Sequence, residues 1–155
     1  MHGVTGLQVQ EHLALITLSG GEGRPHQIAP LLQALAAQQI PVEVISQALP
    51  ATRENSVSFL VQEELLAKVL ELLFVMDHRR PWVSLEQARL LLQGEHLGEK
   101  LEVVSSILQI LKDCGVQLQT MTLSQQSVTL LVDREHLWQA VSSLEQAFFL
   151  LADPR

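Results

Sequence analysis

The stretch Ala14-Leu15-Ile16-Thr17-Leu18 decides the fold, because its pattern returns 74 residues later as Ala88-Arg89-Leu90-Leu91-Leu92. In both copies an apolar row, Ala14/Ile16/Leu18 or Ala88/Leu90/Leu92, recurs at every second residue, the mark of a strand that buries one face. After the first copy comes a glycine-containing loop, then Ile28/Leu31/Leu32/Leu35 at the i, i+3, i+4, i+7 spacing of an amphipathic helix. After the second comes another loop and Val104/Ile107/Leu108/Leu111 at the same spacing.

The correspondence continues outward. The strand pattern Val42/Val44 has its counterpart in the segment holding Val116 and Leu118, shifted by about 76, and Val57/Phe59/Val61 is matched by Val128/Leu130/Val132, each read as a strand. The helical stripe Leu66/Val69/Leu70/Leu73 is matched by Leu137/Ala140/Val141/Leu144. The offset is 76 for the first helix and 71 for the last, so it changes only in loops, and the drop marks an insertion near Ala48 to Thr52. Two further strand-like pieces, Val4 to Val9 and Trp82 to Leu85, precede the first strand of each half. The expected fold is therefore α+β: two ferredoxin-like βαββαβ units in tandem, each an antiparallel sheet with two helices on one face. The boundary is expected where His78, Arg79, Arg80 and Pro81 interrupt the apolar pattern, giving units 1–76 and 77–155.

Composition narrows the function classes. Hydrophobic residues make up 47% of the chain and charged ones only 17%, which supplies a packed core and argues against disorder. The net charge of −7, with no basic run longer than Arg79-Arg80, lacks the footprint of a nucleic-acid binder. No apolar run approaches the roughly 20 residues needed to span a bilayer, and Met1 to Gly6 does not read as a secretory signal. With Cys114 the single cysteine, no intrachain disulfide forms, and a cytoplasmic location is expected.

The local sequences within this repeat resemble the paired ACT domains at the regulatory end of aspartokinases, over essentially the whole chain. Val4-Thr5-Gly6-Leu7 followed by Ala14-Leu15-Ile16-Thr17-Leu18 is similar to the family's entry motif. Pro25, Ala29 and Leu31 fall where the family has its first helix, and Ile40-Pro41-Val42-Glu43-Val44-Ile45-Ser46-Gln47 resembles its strand ending in Ser-Gln. Ser124 to Thr129 and Ala140 to Leu150 resemble its closing strand and helix. The resemblance implies two interlocked units, with the strand at residues 3–9 shared with the second. It also implies a non-catalytic regulatory role, since the kinase domain that precedes this region in aspartokinases is not in the sequence. Its partners would be a free amino-acid effector of the Lys or Thr class, and a second copy or a partner kinase; no nucleic acid, membrane or cofactor is expected.

In ACT units the effector lies at an interface between units, near the loop from first strand to first helix. The physics suits an amino acid: a carboxylate at a helix N-terminus meets unpaired N–H groups and the positive dipole end, and glycines admit close backbone approach. Here the resemblance points to Gly20, Gly21, Gly23, Arg24, His26, Gln27 and Ile28, with Ser46, Gln47, Glu54, Asn55 and Ser56 as polar partners. Glu54 is the expected counter-charge for an ammonium group. Two positions depart from the family: Gly23 stands where many members have Asp, and His26 where they have glycine. His26 either fills the effector's space or recognises a different ligand. The matching loop of the second half, Gln93 to Lys100, has fewer glycines and is the weaker candidate. The six histidines are scattered without ligand spacing, and no nucleophile elbow, phosphate loop or catalytic dyad is recognisable, so neither a metal site nor a catalytic residue is expected.

Overall fold

The computed structural model describes residues 2–19, 28–47, 56–77 and 81–154. Its elements are β1 (Val4–Ser19), α1 (Ile28–Ala37), β2 (Glu43–Gln47), β3 (Ser56–Gln62), α2 (Leu66–Asp77), β4 (Trp82–Gly94), α3 (Leu101–Asp113), β5 (Leu118–Leu123), β6 (Ser127–Asp133), α4 (Leu137–Phe148) and β7 (Asp153–Pro154). The chain is α+β, and it divides into two compact units, His12–Leu85 and Met1–Glu11 with Glu86–Arg155.

The first unit, His12–Leu85, runs strand, helix, strand, strand, helix, strand. Its sheet has β3 in the middle, antiparallel to β1 from Leu13↔Gln62 to Ser19↔Ser56, and antiparallel to β2 from Glu43↔Leu60 to Gln47↔Val57. Ala14, Ile16 and Leu18 of β1 and Phe59 and Val61 of β3 meet Leu31 and Leu35 of α1 and Val69 and Leu73 of α2 in one core. The sheet supplies a period-two row and each helix a stripe, the two periodicities read from the sequence. Val83, in the opening residues of β4, packs against the same core.

In the second unit, β4 from Glu86 onward, α3, β5, β6 and α4 follow the same order, but the remaining strand position is taken by the N-terminal part of β1. The sheet order there is β1-β4-β6-β5, with β7 running parallel to β1 at Gln8↔Asp153. Val4, Leu7 and Val9 share a core with Leu90, Leu92, Ile107, Leu130, Leu144 and Phe148.

The apolar pattern puts the unit break at 76/77, whereas the compact units change over at Glu11/His12 and Leu85/Glu86. Trp82 to Leu85 belongs with the first unit because it completes that unit's strand set, and each supposed separate piece is continuous with the strand after it. Both changeovers are made by a non-glycine residue in left-handed backbone, His12 at φ 60° and Glu86 at φ 56°, again 74 residues apart. Before His12 the inward row is odd (Leu7, Val9); after it the row is even (Ala14, Ile16, Leu18). Likewise Val83 precedes Glu86, and Ala88, Leu90 and Leu92 follow it. One residue out of the extended region shifts the alternation, so each half of a long strand turns its apolar row to its own core.

The ends of α1 and α3 repeat as well. Gln39 and Gly115, both left-handed, sit 76 residues apart; Ile40 N–H reaches back to Leu35 O and Val116 N–H to Leu111 O, each at 3.0 Å. These are Schellman closures, and they bury Ile40 and Val116 as plugs under the helix ends. Val116 therefore closes α3 rather than opening a strand; β5 starts at Leu118, which is exposed because β5 is the outer strand of its sheet. Of the Phe148-Phe149 pair only Phe148 is in the core, while Phe149 is the left-handed cap of α4 and 78% exposed.

Candidate functional site

Three of the described candidates, Ser46, Gln47 and Ser56, lie at one end of the first unit's sheet. β1 and β2 are each antiparallel to β3, so they run parallel to one another and both finish where β3 begins. Ser19, the last residue of β1, registers with Ser56, the first of β3, and Gln47, the last of β2, registers with Val57. With neighbouring strands about 4.8 Å apart, these three chain ends span roughly 10 Å. One residue further in, Ser46 registers with Ser58, whose hydroxyl lies 2.8 Å from that of Thr17 on the neighbouring strand. The pairing of β2 with β3 shifts between Val44 and Ser46, an irregularity of the kind that redirects a strand's last residues.

The chain leaves this end at Ser19 and returns as α1 at Ile28. The first turn of α1 has no acidic side chain, so the positive end of its dipole is not offset by a carboxylate of its own helix. Of the candidates, Ile28 opens α1, Ser46 and Gln47 close β2, and Ser56 opens β3, partly buried. Gly20, Gly21, Gly23, Arg24, His26, Gln27, Glu54 and Asn55 lie outside the described residues. The register thus brings Ser46, Gln47 and Ser56 to the same end of the sheet as the strand that leads into α1.

The matching loop of the second unit is described throughout, and its polar backbone is engaged. Gly94 N–H donates to Gln126 O at 3.0 Å and Leu97 N–H to Gln125 O at 2.8 Å, which ties the loop to the β5–β6 hairpin. The hairpin is itself tightened by Ser124, whose Oγ accepts from the N–H groups of Gln126 and Ser127 at 3.3 and 3.1 Å. Leu97 is fully buried in the second core, and the N–H groups of Val103 and Val104 at the start of α3 are directed to Lys100 O. A Cβ on Gly94 would collide with the backbone oxygen of Gly3, so that glycine is required by close approach, whereas one on Gly98 would meet only the movable side chain of Gln125. A loop closed in this way is a structural junction. The burial of Leu97 leaves no periodic signal in the sequence, since it sits in a single 3₁₀ turn (Leu97–Glu99).

Among the described residues no group of three or more His, Cys, Asp or Glu side chains is placed to hold a metal, and no helix is long and apolar enough to cross a membrane.

No protein-family model matches the chain. An aspartokinase from Geobacillus stearothermophilus is 24% identical over 147 residues, covering 95% of this chain and 36% of that protein, so the chain spans little more than a third of this relative's length. The ligand-free regulatory subunit of aspartate kinase from Thermus thermophilus superposes with a TM-score of 0.81 at 25% identity, over 94% of this chain and 99% of that one. E. coli aspartokinase III, in a complex with lysine and aspartate, shares the fold with a TM-score of 0.72 at 20% identity, over 96% of this chain and 34% of that one. In sequence and in fold, across nearly its whole length, the chain resembles the tandem ACT regulatory region of aspartokinases.

Proposed function

We propose that the chain is a non-catalytic regulatory module of the aspartokinase type, which binds a small amino acid of the Lys or Thr class at the end of the first unit where β1, β2 and β3 meet the start of α1. The observation that carries this reading is the near end-to-end match to a regulatory subunit, 94% of one chain against 99% of the other. The site's chemistry is consistent with it. The start of α1 offers N–H donors and a positive dipole end to a carboxylate, Gly20, Gly21 and Gly23 allow backbone approach, and Glu54 is the counter-charge for the ammonium group. Ser46, Gln47, Asn55 and Ser56 provide neutral hydrogen-bonding groups around the remainder. Occupancy acts on a partner only if the effector binds one conformation better than another, and the differential affinity sets the size of the response.

Titration of the chain with each common amino acid, by calorimetry and thermal melting, tests the reading. An effector at a hundredfold excess over its Kd stabilises by about 2.7 kcal/mol, a rise of roughly 5–10 °C for a chain of this size. Glu54→Gln and Ser56→Ala should abolish that rise while leaving the unliganded melt in place. The absence of heat and of any melting shift with every amino acid refutes effector binding.

The same match favours a second reading, a ligand-free subunit that docks on a larger enzyme such as an aspartokinase. Recovery of a stoichiometric kinase polypeptide with the tagged chain from native extract, without an amino-acid response, would select it.

A further inference from the structure

In the second unit the strand contributed by the N-terminal part of β1 is recruited from far along the chain: Thr5 Oγ1 reaches Gln93 O across 88 residues. What holds the far end of that strand is a side-chain cluster. Glu11 is in phase with the inward row Leu7/Val9, directly before the phase change at His12, and its side chain is 20% exposed. Its Oε1 accepts from the indole Nε1–H of Trp138, in the first turn of α4, at 3.1 Å, and lies 3.4 Å from the guanidinium Nε of Arg134, just ahead of that helix. Next to it, Arg89 Nη2 donates to Gln10 Oε1 at 2.8 Å, and Arg134 N–H donates to Glu86 O at 2.9 Å.

The duplication provides an internal control. At the offsets of 74 for the strands and 71 for the last helix, the counterparts of Glu11, Arg134 and Trp138 are Leu85, Glu63 and Ala67, which cannot make this cluster. In the first unit the matching strand segment begins at Trp82, soon after α2 ends at Asp77, so a short connection brings it into place. Among the described residues the group is present only in the unit whose strand arrives from a distant part of the sequence.

We propose that Glu11, Trp138 and Arg134 form a clasp that retains the N-terminal half of β1 in the second unit's sheet, and that release of this strand half is the lowest-energy opening of that unit. Release would expose Val4, Leu7 and Val9 and unpair the edge of β4, so the clasp controls a local equilibrium distinct from global unfolding.

Hydrogen exchange of the full chain, resolved by segment, tests this. Trp138→Phe removes the N–H donor and keeps an aromatic ring at a half-exposed position, so amides of residues 4–10 should exchange about two- to threefold faster. Glu11→Ala removes the acceptor for both partners and should accelerate the same amides about three- to tenfold, with Trp138→Phe adding less in that background than alone. Residues 56–62 of β3, in the other unit, should exchange as before. Unchanged exchange at 4–10 in both variants overturns the clasp, and so does equal acceleration at 4–10 and 56–62, which would mark a general loss of stability.

Discussion

His12 and Glu86 are polar, exposed residues held in left-handed backbone inside long strands, and replacing them separates two physical accounts by sign. Strand propensity says that His12→Val, a β-branched residue on an exposed strand position, stabilises by up to about 1 kcal/mol. The phase-shift account says the opposite. A β-branched residue fits the left-handed region poorly, at a cost of about 1–2 kcal/mol relative to glycine. The chain escapes that cost only by returning residue 12 to extended backbone, which would turn the row Ala14/Ile16/Leu18 or the row Leu7/Val9 away from its core. Ile16, Leu18, Leu7 and Val9 are all buried in the folded chain. At about 1.5–3 kcal/mol for each large apolar side chain, either escape costs several kcal/mol, more than the strain it relieves. The protein therefore keeps its fold and bears the strain. His12→Val should lose roughly 1–2 kcal/mol against His12→Gly, which should equal or slightly exceed the parent because relief of the left-handed penalty is offset by glycine's unfolded-state entropy. Equilibrium urea unfolding followed by far-ultraviolet circular dichroism measures the order, with an unchanged urea dependence showing that the folded state is retained. Glu86→Val and Glu86→Gly should give the same ranking. A valine variant at either position as stable as its glycine partner, or more so, refutes the phase-shift account.

The second unit offers three further tests. Leu97→Ala empties a fully buried position and should cost about 2–5 kcal/mol in urea unfolding. Gly94→Ala sets a methyl carbon against Gly3 O and Leu97, with backbone on one side, and should cost about 1–3 kcal/mol while raising the hydrogen exchange of residues 4–10. Phe149→Gly, at a left-handed helix cap whose ring is largely exposed, should raise the melting temperature by an amount equivalent to about 0.5–1 kcal/mol.

The repeat was legible because burial imposes a period on whichever residues face a core. Ala14/Ile16/Leu18 and Ala88/Leu90/Leu92 are buried as the alternation requires, and so is every member of the stripe Leu137/Ala140/Val141/Leu144. The stripes of the first unit are cleaner in sequence than in space: α1 buries Leu31 and Leu35, while Leu32, at the stripe's edge, is 37% exposed. The routing of the strands was harder to read. No glycine marks His12 or Glu86, and the trace in the sequence is a change from an odd to an even apolar row, which two separate strands would leave equally well. The clasp was hidden for a different reason: Glu11 and Trp138 are 127 residues apart, and a contact between single side chains at that distance leaves no local pattern.

The functional contrast between the two loops rests on a single correspondence. Leu97 aligns with Gly21 at the offset of the helices and with Gly23 at the offset of the strands, so under either alignment the first half has glycine where the second has a buried leucine. In the second unit that leucine joins the core and the loop's N–H groups are drawn onto the Gln125–Gln126 hairpin. The first half brings no side chain to the equivalent position, and its hairpin between β2 and β3 is longer by the insertion near Ala48 to Thr52. Where the second unit fills its core with this apolar side chain, the sequence of the first has glycine, with Ser46, Gln47, Glu54, Asn55 and Ser56 as the polar candidates of the proposed site. That difference, more than the glycine count, is the physical reason to seek the effector in the first unit, and it makes Gly21→Leu and Gly23→Leu the substitutions by which the proposed site should be closed.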